Sequence, residues 1–130
     1  MMIDKETNMT KYTILQINLT DAQVDEVNAS KGEYPEFYIK SLRANIQPNP
    51  EAILDVFDMY KPVAKIEAEN LEQVFHIGNM GPEEKIERLD RMHSVSVGDL
   101  VFDPNTAIYY YVDSFGFGEL PSEEVLRKVA

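Results

Sequence analysis

Nucleophilic catalysis needs a nucleophile, a base and an acid that orients the base, and the residue types of this chain restrict that choice at once. Its 130 residues include no cysteine, which removes thiol nucleophiles, disulfides, zinc–thiolate sites and iron–sulfur clusters together. The hydroxyl candidates are Ser94, Ser96 and Ser114, and the bases are His76 and His93. Ser94 follows His93 directly, but neighbours on a strand point to opposite faces, so adjacency argues against contact. No G-x-S-x-G elbow is present. The two histidines lie 17 positions apart with no H-x-x-x-H or D-x-D pattern, so no metal site is expected. The glycine clusters Gly78-Asn79-Met80-Gly81 and Phe115-Gly116-Phe117-Gly118 lack both the lysine of a P-loop and the third glycine of a dinucleotide fingerprint. The residues thus point to no catalytic constellation and no cofactor. The enzymatic alternative is a small-ligand or hydrolytic domain with a polar cleft at a hairpin exit, using Asp113, Ser114 and a histidine.

Charge is the stronger signal. Twenty-three acids against twelve bases give a net charge of −11 and a pI near 4.5. Affinity for nucleic acid comes largely from Lys and Arg that neutralise phosphates, and anionic membranes select the same residues; both partners are excluded as direct ligands. The imbalance is concentrated. Residues 92–126 carry Asp99, Asp103, Asp113, Glu119, Glu123 and Glu124 with no Lys or Arg at all. No apolar run approaches the roughly 18 residues of a membrane span, and MMIDKETNMTK has no apolar core of a signal peptide. A cytoplasmic location is the expectation.

The elements that must position these residues read as α+β. Residues 1–10 are polar and unpatterned, a mobile tail, and 11–130 form one domain. YTILQINL is a strand with Leu15, Ile17 and Leu19 as its more apolar side. Thr20 and Gln23 fit a capping box opening a short helix. Tyr34-Pro35 opens a second helix that buries Phe37, Tyr38, Ile39 and Leu42. PVAKIEA reads as an edge strand because of Pro62 and Lys65. Asn70 caps a helix containing Leu71, Val74, Phe75 and Ile77, and Gly81-Pro82 opens another over EEKIERLDRM. Ser94 to Val97 alternates like a strand. Leu100-Val101-Phe102 and Ile108 to Val112 make a C-terminal β-hairpin around Asp103-Pro104-Asn105-Thr106, after which DSFGFG leaves the sheet and Ser122 caps a last helix. The expected architecture is a small antiparallel or mixed sheet with helices packed on one side.

The runs SVSVGDLV (Ser94–Val101) and YYVDSFGF (Tyr110–Phe117) resemble the signature of the YodL-like domain family, S-x-S-V-x-D-V-V followed by Y-Y-V-D-S-x-G-F. Tyr12–Gln16 is similar to the family's opening strand and Leu71–Phe75 to its L-E-x-I-F helix, so the likeness extends over residues 12–121. The resemblance implies an accessory protein of a phage, plasmid or other mobile element that acts on a host component, with no settled catalytic activity. Ser94, Ser96, Gly98, Asp99, Ser114 and Gly116 then have a structural account, as turn formers and backbone caps.

Together these readings give an acidic protein-binding module that inhibits or modulates a host protein with a basic surface. One version is nucleic-acid mimicry, in which carboxylates stand in for phosphates and the target is a nucleic-acid enzyme. The expected contact residues are Tyr109, Tyr111, Asp113, Phe115 and Phe117, ringed by Asp99, Asp103 and Glu119. Acids would steer the target and aromatics would supply buried area.

Overall fold

The computed structural model describes residues 9–129. Thr10 opens the first strand, and residues 1–8 of the expected tail lie outside the described residues. β1 (Thr10–Ile17) is the central strand of a six-stranded antiparallel sheet. Around it run α1 (Asp21–Ala29), α2 (Glu36–Ile46), α3 (Pro50–Asp55), β2 (Tyr60–Ala68), α4 (Leu71–Met80), β3 (Ile86–Arg88), β4 (Leu100–Asp103), β5 (Ile108–Asp113), β6 (Gly116–Glu119) and α5 (Ser122–Val129). The sheet order is β3-β2-β1-β4-β5-β6.

Because side chains alternate along a strand, neighbouring residues assign the two cores to opposite faces. Ile14, Val101 and Val112 join Ala64, Ile66 and the α4 residues Val74 and Ile77 in one cluster. Leu15, Leu100 and Tyr111 join Ala44 of α2, Ile53 and Leu54 of α3, and Val125 of α5 in the other. The α+β class, the antiparallel sheet and the hairpin are as the sequence implies. The helices, however, cover both faces instead of one. That explains β1, where Tyr12, Ile14 and Gln16 are more deeply buried than the apolar-looking side Leu15 and Ile17. A central strand covered twice shows no clean alternation.

Local rules account for most element ends. Thr20 and Gln23 close the capping box from both sides, at 3.1 and 2.8 Å. Asn49 and Asn70 accept from Ala52 and Gln73 at the starts of α3 and α4. In α2, Ile39 is exposed, contrary to expectation, and the buried positions are Ser41 and Ala44. The helix thus presents small residues to the layer beneath.

Four expectations fail for tertiary reasons. PVAKIEA is not an edge: β2 lies between β1 and β3, and Pro62 sits where the β1 register slips past Val63. Such a bulge is the other place a strand tolerates proline. EEKIERLDRM is not a helix but a 3₁₀ turn, Glu83–Lys85, followed by β3. Its charges pair otherwise than along a helix at i,i+4: Glu87 reaches Lys11 of β1 at 3.2 Å, and Arg88 turns back to Glu83 at 2.7 Å. Leu89 is exposed. Residues 94–97 are not a strand but part of an extended strap, 89–99, that carries the chain from β3 to β4. Likewise Gly116 to Glu119 does not leave the sheet; it returns as β6, making a second hairpin.

Candidate interaction surface

The strap is held by a buried polar knot. Leu89 and Asp90 donate to the Val63 carbonyl exposed by the bulge, and Asn18 Nδ2 donates to the Arg91 carbonyl at 3.2 Å. Gln16, fully buried, donates through Nε2 to Asp99 Oδ2 at 2.9 Å and to the His93 carbonyl at 3.0 Å, while its Oε1 accepts from the His93 amide at 3.2 Å. Asp99 Oδ2 also accepts from the Ser96 amide at 2.9 Å. Tyr60 donates its hydroxyl to the Gly98 carbonyl. Gly98 has φ +92°, and a Cβ there would stand 2.6 Å from Asn45 Cα. Only glycine fits both constraints. On the other side of the strap, Gly78 of α4 leaves room for Val95.

Burial pushes the Asp99 carboxyl up from 3.8 to about 6, against the opposing effects of the Ser96 and Gln16 hydrogen bonds and the His93 charge. Burial, and then the Asp99 charge, pushes the Tyr60 phenol upward as well. Asp99 is only 2% exposed, which corrects its expected place at an interaction surface: its Oδ2 serves the protein's own amides. Ser96 and Gly98 belong to the same turn, with the Asp99 amide donating to the Ser96 carbonyl at 3.0 Å and the Gly98 amide to Val112. Ser94 is exposed, its carbonyl 2.7 Å from His93 Nδ1.

The β5–β6 hairpin is built differently. Asp113 pairs with Gly116 across a two-residue loop, Ser114-Phe115. The positive φ falls on Gly116, at +92°, as in a turn followed by a glycine bulge. The Ser114 amide donates to Asp113 Oδ1 at 2.7 Å. This turn holds the Phe115 ring 98% exposed. Tyr111 lies directly over Gly118 on the α5 side of the sheet, where a Cβ would collide with its ring. Tyr109 packs edge-on against Phe57, with centroids 5.3 Å apart, and against Phe102 at 4.6 Å. Both tyrosines belong to the core under α2, α3 and α5; burial raises the Tyr109 phenol. The two are therefore removed from the expected contact surface, since they face the other way from Phe117.

On the α4 side, β5 and β6 are only partly covered. Two adjoining hollows of about 570 and 310 Å³ run between the start of α4 and the hairpin and share Glu72, Gly116 and Phe117. Tyr12, Glu69, Asp103 and Tyr110 line the first; Phe75, Asp113 and Ser114 line the second. Among the described residues no lysine, arginine or histidine lines either one. The structure thus brings together Asp103, Asp113, Ser114, Gly116 and Phe117, with exposed Glu119 paired opposite Tyr110. It adds Glu69, Glu72 and Phe75, which only the sheet order brings near the hairpin. The expected histidine is absent from these linings: His76 is exposed on α4 and His93 lies at the knot. A larger hollow of about 770 Å³ between α3 and α5 mixes Glu51, Asp55 and Glu124 with Arg127 and Lys128. Its charges offset one another, and it takes none of the residues singled out above.

Among the described residues no helix is long and apolar enough to cross a membrane. Comparison with family models, curated proteins and solved structures finds no match for the chain.

Proposed function

We propose that this chain is an acidic protein-binding module whose contact surface is the β5–β6 hairpin and the groove between it and α4. The reading rests chiefly on one observation, a phenylalanine 98% exposed at the tip of a hairpin whose flanking groove is lined by four acidic residues and, among the described residues, by no Lys, Arg or His. A single exposed apolar residue is ordinary. Here Phe75, 40% exposed, and half-buried Phe117 sit beside the groove too, and aromatic anchors with an acidic rim are how a basic partner is bound and steered. Together with the YodL-like resemblance of residues 94–101 and 110–117, this supports an accessory protein of a phage or mobile element. It would act in the bacterial cytoplasm on a host protein with a basic surface, by nucleic-acid mimicry where that host protein binds DNA or RNA.

The test is capture from bacterial lysate at low and high salt, with mass-spectrometric identification and titration of the purified partner. A partner retained by the native chain, weakened by salt, and lost by the Asp113→Lys/Phe115→Ala double variant is the expected result. Competition by added DNA would identify mimicry. Equal retention by the double variant would overturn the proposed surface.

A further inference from the structure

The two edges of the sheet differ in how they end. β3 spans only three residues, and the chain after it folds back so that Leu89 and Asp90 donate to β2. Its side chains are tied into ion pairs with Lys11 and Glu83. Short, charged, folded-back strands are the usual protection of a sheet edge against pairing with another chain. β6, four residues long and carrying Glu119, has neither the fold-back nor, among the described residues, an ion pair. The Leu120 amide donates to the Tyr109 carbonyl, so by antiparallel alternation the Gly118–Tyr111 and Gly116–Asp113 pairs also face β5. The amides and carbonyls of Phe117 and Glu119 therefore point away from the sheet, and no further strand follows β6 in the sheet order.

We infer, on the basis of the binding function proposed above, that the partner supplies an extended cationic segment that pairs with β6 as a seventh strand. The two faces of that strand would meet different surfaces. On the α4 side it would run beside Phe117 and Glu119, with Glu72 near the hairpin end; Lys or Arg at alternate positions matches these carboxylates. On the α5 side it would run beside Gly116, where nothing among the described residues comes within 4 Å of a Cβ position, and past Gly118, which the Tyr111 ring covers; a β-branched apolar residue would sit over Gly116 and against that ring. Strand addition gives affinity through main-chain bonds and specificity through alternate side chains. A second copy of this chain is a poor occupant, because its own β6 would bring Glu119 against the same charges.

The probe is a synthetic peptide of alternating lysine and valine, compared with its glutamate–valine counterpart and with a lysine–valine peptide N-methylated on every second amide. Binding is read by chemical shifts and amide exchange of the full chain. The lysine–valine peptide is expected to bind, to shift residues 115–119 first, and to slow exchange of the Phe117 and Glu119 amides. The other two peptides are expected to bind at least about tenfold more weakly. Glu119→Pro removes an outward amide that β5 does not use, whereas Glu119→Gln removes only the charge. Proline should cost about tenfold and glutamine about two- to threefold. If the N-methylated peptide and Glu119→Pro bind as well as the unmodified pair, strand pairing is overturned while the acidic contact surface stands. If the lysine–valine peptide does not bind, or if β6 instead pairs with a second copy in a dimer that Glu119→Pro dissolves, the inference is wrong. Lysate capture then judges the broader proposal independently.

Discussion

The strap and the hairpin tip are both loops that leave the sheet near its C-terminal strands, and both contain an aspartate, a serine and a glycine at φ +92°. They differ in what surrounds the glycine. Around Gly98, backbone from α2 closes to 2.6 Å of where a Cβ would stand, buried Gln16 donates to buried Asp99, and Tyr60 donates to the Gly98 carbonyl. Around Gly116 nothing approaches within 4 Å, and the neighbouring Phe115 touches water on nearly every side. The same residue types therefore serve two purposes. Where polar groups are buried they must pair internally, and the motif becomes a fastener. Where they are exposed, their bonding capacity and the adjacent apolar surface are left for something else.

Alanine substitution at the two glycines separates these roles most sharply. Gly98→Ala adds a backbone collision to the left-handed strain, so a loss of more than about 3 kcal/mol is expected in a denaturant melt. Gly116→Ala meets only the strain, about 1 kcal/mol. Similar losses at both positions would mean that the hairpin tip is packed as tightly as the strap, and the comparison would fail.

The knot also carries a titration. Since the Asp99 pKa is raised in the folded state, the native protein holds that proton more tightly than the unfolded chain does. Its contribution to stability is fully present below about pH 4 and is lost as the pH rises through about 6. Asp99→Asn keeps an oxygen for Ser96 and Gln16 but cannot ionise. The variant should match the native protein near pH 4 and exceed it by on the order of 2 kcal/mol at pH 7.5. A difference that does not change across this range would show an ordinary, solvated carboxylate. Such an outcome contradicts the buried knot directly.

Gly78 offers a smaller version of the same test. Its alanine variant would press on Val95 and should cost about 1–3 kcal/mol. Because the neighbour is a side chain and not backbone, Gly78→Ala/Val95→Ala should cost less than the sum of the two single losses. Additive losses would mean that the strap and α4 do not touch there.

How much of this was legible depended on whether the cause was local. The Thr20 capping box, the Asn70 cap, the β4–β5 hairpin and the acidic C-terminal third all follow from residues within a few positions of one another. Nothing local distinguished the knot. Gln16 is one of several polar residues in β1, and its partners His93 and Asp99 lie 77 and 83 positions away. EEKIERLDRM has strong helical pairings at i,i+4, yet β2 recruits Ile86 to Arg88 as a strand; a tertiary ladder outweighs a few tenths of a kcal/mol per ion pair. The candidate surface was half legible. Asp103, Asp113, Phe115 and Phe117 were found from charge and aromatic content. Tyr109 and Tyr111 were assigned to the wrong side because alternation divides a strand into two faces without saying which is core, and Glu69, Glu72 and Phe75 join the groove only through sheet order.

The smallest expected effect is also the most diagnostic. Phe115→Ala removes a large aromatic ring, which inside a core typically costs about 3–5 kcal/mol. At 98% exposure the ring has almost no protein contact to lose, so the melt should move by less than about 0.5 kcal/mol. A loss of stability well above that would make the ring part of the hairpin's own packing and would deprive the tip of its apolar anchor. If stability is retained while a basic partner binds at least about tenfold more weakly, the exposed ring is there for the partner and not for the fold. That pairing of results cannot be produced by the strap, where every substitution that disturbs Asp99, Gly98 or Gln16 must first disturb the native structure.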